Sequence, residues 1–148
     1  MLGDGSIRYN NMARGKGARG SCRYSMTMKA SAVNYLQSLV DGVYKPYCKS
    51  GLIPYPKPGS ANYAGSINQY SFTTASLPVF TALHNMWYRL DMDLGAYVEI
   101  VPMNVGKMFS SVSLAHWIME DGYFDSYGRI ETVLLCTESF TEEECVIL

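Results

Sequence analysis

The sequence predicts an α+β fold in which antiparallel strands form a sheet and helices cover one of its faces. Three observations predict it. Residues 22–30, CRYSMTMKA, alternate strictly between apolar and polar side chains. Residues 32–48 and 76–90 carry apolar side chains at helical spacing, each stretch entered through a serine. The succession of a helix, strand and helix starts again near residue 110, which points to an internal duplication. At 148 residues the chain is long enough to bury a sizeable core.

Taken in order, residues 6–10 form a short strand and NMARGKGARGS the hairpin loop after it. In the next strand Cys22, Tyr24, Met26 and Met28 point one way, while Arg23, Ser25, Thr27 and Lys29 point the other. Ser31 caps a helix whose stripe is Val33, Leu36, Leu39, Val40 and Val43. Residues 50–66 are rich in Pro and Gly and read as loop. SINQYSFTT alternates again, with Tyr70 and Phe72 inward and Gln69, Ser71 and Thr73 outward. Ser76 caps the second helix and Pro78 sits in its first turn, where the missing N–H costs nothing. YVEIVPM is an extended segment ended by Pro102. Ser110 or Ser111 opens the helix VSLAHWIMEDG. A hairpin-like strand, IETVLLCTES, leads to a last helix on which Thr141 and Glu144 are spaced as a capping box.

The net charge of −1 hides an asymmetry. Residues 1–60 hold nine Lys or Arg against two acids, and residues 61–148 hold three against eleven. Either the first segment faces a polyanion or the charges fell unevenly on a solvated surface; composition alone leaves both open. Cys22, Cys48, Cys136 and Cys145 lack CxxC spacing and neighbouring histidines, so they read as reduced, mostly buried thiols and exclude an ordinary zinc site. His84 and His116 read as helix residues with satisfied rings. No apolar run reaches the length of a membrane span and no signal-peptide core marks the chain for export. GKGARGS lacks the order of a phosphate-binding loop, and no GxSxG or Cys–His arrangement supports covalent catalysis.

Two apolar stretches end on an acid and a glycine, MLGDG at residues 1–5 and LAHWIMEDG at residues 114–122. The second resembles the motif for which the LAGLIDADG homing endonucleases are named. Leu114, Ala115, Ile118, Asp121 and Gly122 match it, while His116, Trp117, Met119 and Glu120 depart. MLGDG fits the last five motif positions, with Asp4 equivalent to Asp121. The resemblance extends to YLQSLVDGVY, SFTTASLPVFTALHNMWY, the IVP turn and TESFTEEE, and is closest to the two-motif, intron-encoded branch.

The resemblance implies an antiparallel saddle-shaped sheet and two motif helices side by side at a pseudo-two-fold axis within a monomer. Residues 1–109 are then a first repeat whose motif helix lacks its start, and residues 110–148 a second repeat that is cut short. Each motif helix delivers one aspartate to a shared metal site. In-line phosphodiester hydrolysis needs charge neutralised on the attacking and leaving oxygens, and a divalent cation held by oxygens supplies it. Asp4 and Asp121 are the expected catalytic ligands of Mg²⁺ or Mn²⁺, with the carbonyls of Gly3 and Glu120 assisting. The Glu120 side chain is a supporting group. The sheet face is expected on double-stranded DNA, through Arg23, Ser25, Thr27 and Lys29, with Arg8, Asn10, Gln69, Ser71 and Thr73 beside them. Arg14, Lys16 and Arg19 are expected on phosphates. Related enzymes commonly carry a lysine before the turn that here reads IVP, whereas this chain has Glu99, which opposes developing negative charge. The alternative the family allows is a maturase-like protein that binds intron RNA and does not cut. Either points to an organelle, the mitochondrion, as the place of action.

Overall fold

The computed structural model describes residues 3–9, 20–127 and 130–148. They fall into two compact units, one Gly5–His84, the other residues 3–4 together with Asn85–Leu148.

In the first unit, strands β1 (Gly5–Tyr9), β2 (Cys22–Lys29), β3 (Ile53–Tyr55) and β4 (Gln69–Thr73) form an antiparallel sheet in the order β1-β2-β4-β3. The expected alternation in β2 is present residue by residue: Cys22, Tyr24, Met26 and Met28 are buried, and Arg23, Ser25, Thr27 and Lys29 are not. Register carries that division across the sheet. Ile7 lies opposite Tyr24, and Phe72 opposite Met26, so one face is continuous apolar core. Helix α1 (Val33–Asp41) adds Leu36, Leu39 and Val40 to that core. Helix α2 (Pro78–Trp87) adds Phe80. Tyr44 stacks on Tyr24 at 4.8 Å, and His84 meets Tyr9 edge-on at 4.7 Å. Thr74 prolongs the pairing with β2 past the end of β4. Its hydroxyl accepts from the Tyr24 N–H at 3.0 Å, while its own N–H donates to the Tyr24 carbonyl at 2.9 Å.

The local ends differ from the sequence reading in several places. Ser31 does not cap α1; it lies inside a 3-10 turn, Ala30–Ala32, and Ala32 precedes the helix without a side-chain cap. The helix stops at Asp41 rather than running to residue 48, because Gly42 is a poor helix former and the Tyr44 N–H closes the end on the Leu39 carbonyl at 2.9 Å. Val43 therefore leaves the apolar stripe and is exposed. The Pro/Gly-rich segment holds β3, which sits at the sheet edge, where Pro54 withholds no interior hydrogen bond. Only Cys22 of the four cysteines is buried; the other three are half-buried.

In the second unit, α2 gives way to β5 (Tyr88–Asp91), where the sequence reading kept a helix to residue 90. Asp91 explains the switch. Its Oδ1 accepts from the N–H groups of Asp93 and Leu94, both at 2.9 Å, and Gly95 turns with φ +60°, so the chain reverses into β6 (Ala96–Glu99). A single turn, α3 (Val105–Met108), precedes α4 (Ser111–Asp121), whose N-cap is Ser110, accepting from the Ser113 N–H at 3.2 Å. Trp117 is the buried residue of α4 and meets Phe109 edge-on at 6.3 Å; Val101 and Val105 complete this core. Strands β7 (Gly122–Asp125) and β8 (Thr132–Leu135) pair antiparallel, and α5 (Glu142–Ile147) closes the chain behind the expected Thr141–Glu144 capping box. Glu144 also accepts from the Val101 N–H at 3.1 Å, and its carboxyl is held below the usual range by the Thr141 backbone N–H first of all. Among the described residues no helix is long and apolar enough to cross a membrane.

Candidate functional site

The site residues expected from the sequence, among those described, gather in two places, one in each unit. In the first unit the open face of the sheet is built by the two-residue period of its strands. Four rows cross it. Arg8 lies opposite Arg23; Ser6, Ser25 and Thr73 form the next row, then Thr27, Ser71 and Ile53, and last Lys29, Gln69 and Tyr55. Every expected face residue among those described lies in these rows, and none of the rows contains an acid. Asn10, Arg14, Lys16 and Arg19 lie outside the described residues. Ser6, whose hydroxyl is 3.3 Å from that of Ser25, joins the face through its register with β2, which the short sequence of β1 does not mark. Ile53 and Tyr55 had no periodic signal, because a three-residue strand with Pro54 at its centre is too short to show one.

In the second unit, α4 delivers Asp121 at its last position, and residues 3–4 bring Gly3 and Asp4 to the same place. Burial first, and then the negative charge of Asp121, push the Asp4 carboxyl above its ordinary value of 3.8. The two aspartates are therefore electrostatic neighbours despite their separation in sequence. A pocket beside Asp121 is lined by Gly3, Glu99, Asp121, Cys136 and Glu138, with Trp117 and Phe140 as apolar walls. The Cys136 N–H donates to the Asp121 carbonyl at 3.2 Å. Its thiol is pushed up by burial and by Asp121 and Glu138. Glu138 had no sequence signal, since it sits in a turn whose position only the fold supplies.

The glycines here are required for two different reasons. Gly3 turns with φ +99°, and a Cβ on it would strike the Glu120 carboxylate, which packs over it. Gly122 has φ −98°, open to any residue, yet its N–H bonds to the Ile118 carbonyl and a Cβ would lie 2.7 Å from that oxygen. A side chain at this position would therefore force the backbone at the exit from α4 to shift. Gly122→Ala is expected to cost about 1–3 kcal/mol through this backbone clash, seen as a lower midpoint in urea unfolding with little change in slope.

The donor set suits a hard cation. Asp4 and Asp121 offer carboxylate oxygens, and the carbonyls of Gly3 and Glu120 adjoin them. Among the described residues no three His, Cys, Asp or Glu side chains form a group able to hold an ion. Two protein carboxylates with the remaining positions left to water is a common arrangement for Mg²⁺, which dehydrates reluctantly. The thiol of Cys136 is too soft a donor to compete for it.

The model of the LAGLIDADG DNA endonuclease family matches residues 1–148. The chain belongs to this family. DNA endonuclease I-ChuI of Chlamydomonas applanata is 23% identical over 143 residues, covering 96% of this chain and 62% of that protein. Cytochrome b mRNA maturase bI2 of Saccharomyces cerevisiae is 29% identical over 126 residues, covering 82% of this chain and 27% of that protein. The chain thus spans about three-fifths of the first relative's length and about a quarter of the second's. No solved structure matches it significantly. The α+β architecture with antiparallel sheets is the one the family resemblance implied.

Proposed function

We propose that this LAGLIDADG chain works as a site-specific endonuclease on double-stranded DNA, hydrolysing phosphodiesters with Mg²⁺ or Mn²⁺ held by Asp4 and Asp121. The observation that carries this reading is the convergence of those two aspartates, each placed before a glycine at the end of a motif. Two carboxylates forced together repel, and a divalent cation relieves the repulsion. When bound, the cation supplies the positive charge that a phosphoryl transition state requires. The chain's own part is to hold the carboxylates: Gly3 and Gly122 set the turns, and Glu120 packs over Gly3. Glu99 and Glu138 deepen the negative field of the pocket. The acid-free sheet face positions the duplex, with Arg8, Arg23 and Lys29 against phosphates or guanine edges and Gln69 suited to adenine. On this reading residues 1–109 and 110–148 belong to two repeats of one monomer, which acts in a mitochondrion.

The test is cutting of intronless double-stranded DNA carrying the insertion site, with and without Mg²⁺. The maturase reading is favoured by the bI2 relative and by Glu99, and it expects selective binding of folded intron RNA with no cutting. Arg23→Ala provides a further check. Loss of a base-edge contact is worth about 1–3 kcal/mol, so affinity for the preferred duplex should fall by roughly tenfold and sequence preference should blur. Lys16→Ala should weaken all duplexes alike and lower the salt slope by about 0.9. If Arg23→Ala leaves both affinity and preference untouched, the sheet face is not where DNA binds.

A further inference from the structure

Building on the proposed DNA-binding face, we infer that β3 extends the reading surface with an apolar strip, Ile53 and Tyr55, that recognises the 5-methyl groups of thymine. Register places Ile53 in the row of Thr27 and Ser71, and Tyr55 in the row of Lys29 and Gln69. Both point out on the open face and are 48% and 54% exposed, whereas Pro54 between them turns the other way, opposite Tyr70. Edge strands are blunted by shortness, proline or charge, and β3 uses the first two. This one keeps two large apolar groups in water, on the face that holds Arg8, Arg23 and Lys29 and no acid. A purely apolar protein patch would leave those cations unmatched, whereas a polyanion with apolar points on its edge matches both features. Duplex DNA offers that combination in the major groove, where the thymine methyl is the one apolar group among hydrogen-bonding edges.

The dimensions agree. From Arg23 to Lys29 the face runs six residue steps, about 20 Å, the length of roughly six base pairs. Ile53 and Tyr55 lie at the Lys29 end, one strand beyond Gln69. The arrangement sets an amide donor and acceptor beside two apolar groups, which suits an A·T-rich step: Gln69 on adenine and the β3 side chains on thymine methyls. Both side chains are outside the core, so replacing them leaves the fold intact.

The test uses the full chain and the duplex it selects from a randomised double-stranded DNA library. Each thymine of that duplex is exchanged in turn for uracil, which removes the methyl and keeps every hydrogen-bonding group. Burying one such carbon is worth about 0.8 kcal/mol, so wild-type affinity should drop about fourfold at one or two positions. Those same positions should become indifferent to the exchange in Ile53→Ala or Tyr55→Ala, while Arg23→Ala keeps the methyl effect. A duplex bound selectively but insensitive to uracil everywhere, or an effect that persists in both β3 variants, overturns the inference and leaves the proposed function standing. Selection that yields no preferred duplex overturns the two together.

Discussion

Asp121→Asn is expected to abolish stabilisation by Mg²⁺ and to lower DNA cleavage by on the order of a hundred- to a thousandfold, the usual cost of removing one charge-stabilising group from a reacting site. An amide keeps the shape of the side chain but not its anionic oxygen, and a hard cation needs the anion. The metal-free protein should respond in the opposite direction. Asp4 has its carboxyl raised by burial and then by Asp121. A raised carboxyl contributes stability below its unfolded value and loses it as the pH climbs through the folded one, so at neutral pH the ionised pair is a net strain on the fold. Removing the charge of Asp121 relieves the smaller of the two causes. Because Asp4 is largely exposed to solvent screening, the gain is modest, on the order of 1–2 °C at neutral pH, and it should vanish in acid below the ordinary carboxylate range. Thermal melts with and without Mg²⁺, run in neutral and acidic buffer, read all of this. A Mg²⁺ shift that survives Asp121→Asn and Asp4→Asn would mean that the ion sits elsewhere.

What could be read from the sequence depended on how far each physical signal extends along the chain. The alternation of β2 runs over eight residues, and it set both the core and the open face of the sheet, including the outward positions of Ser71 and Gln69 on β4. The capping box of α5 and the Ser110 cap of α4 are contacts within four residues and were equally legible. The strand β3 was hidden because three residues centred on Pro54 carry no period, and its pairing with β4 is decided by tertiary register. The switch from α2 to β5 was hidden for a related reason. YRLD continues an acceptable helical pattern, and only the Asp91 turn and its partner strand β6 make extension the better choice. Asp4 and Asp121 were legible as candidates through their shared motif, whereas the pocket residues Cys136 and Glu138 come from a strand end and a turn that no local pattern marks.

Glu99→Lys is expected to raise the rate of DNA cleavage by roughly a hundredfold at saturating Mg²⁺. Glu99 ends β6 opposite Tyr88 and lines the same pocket as Gly3 and Asp121. On the proposed reaction its carboxylate faces a phosphate that gains negative charge as the bond breaks. Like charges about 6 Å apart at an effective dielectric near 20 repel by about 3 kcal/mol, and a cation at that place reverses the sign. A preorganised donor in such a site is worth about 3–4 kcal/mol; the two figures describe one overlapping electrostatic gain, so the net effect is set at about 3 kcal/mol, roughly a hundredfold. One effect opposes it. Glu99 adds to the negative field that draws the cation in, and its loss should raise the Mg²⁺ concentration needed for half-maximal rate. Glu99→Gln separates the two contributions: it removes the repulsion without adding a cation, and should fall between wild type and Glu99→Lys in rate at saturating metal. Single-turnover cleavage of the selected duplex across a Mg²⁺ titration measures the maximum and the midpoint independently. If both variants fold as the wild type does, yet both lose cleavage, Glu99 is itself a metal ligand or a base for the attacking water, and the two-aspartate site is incomplete.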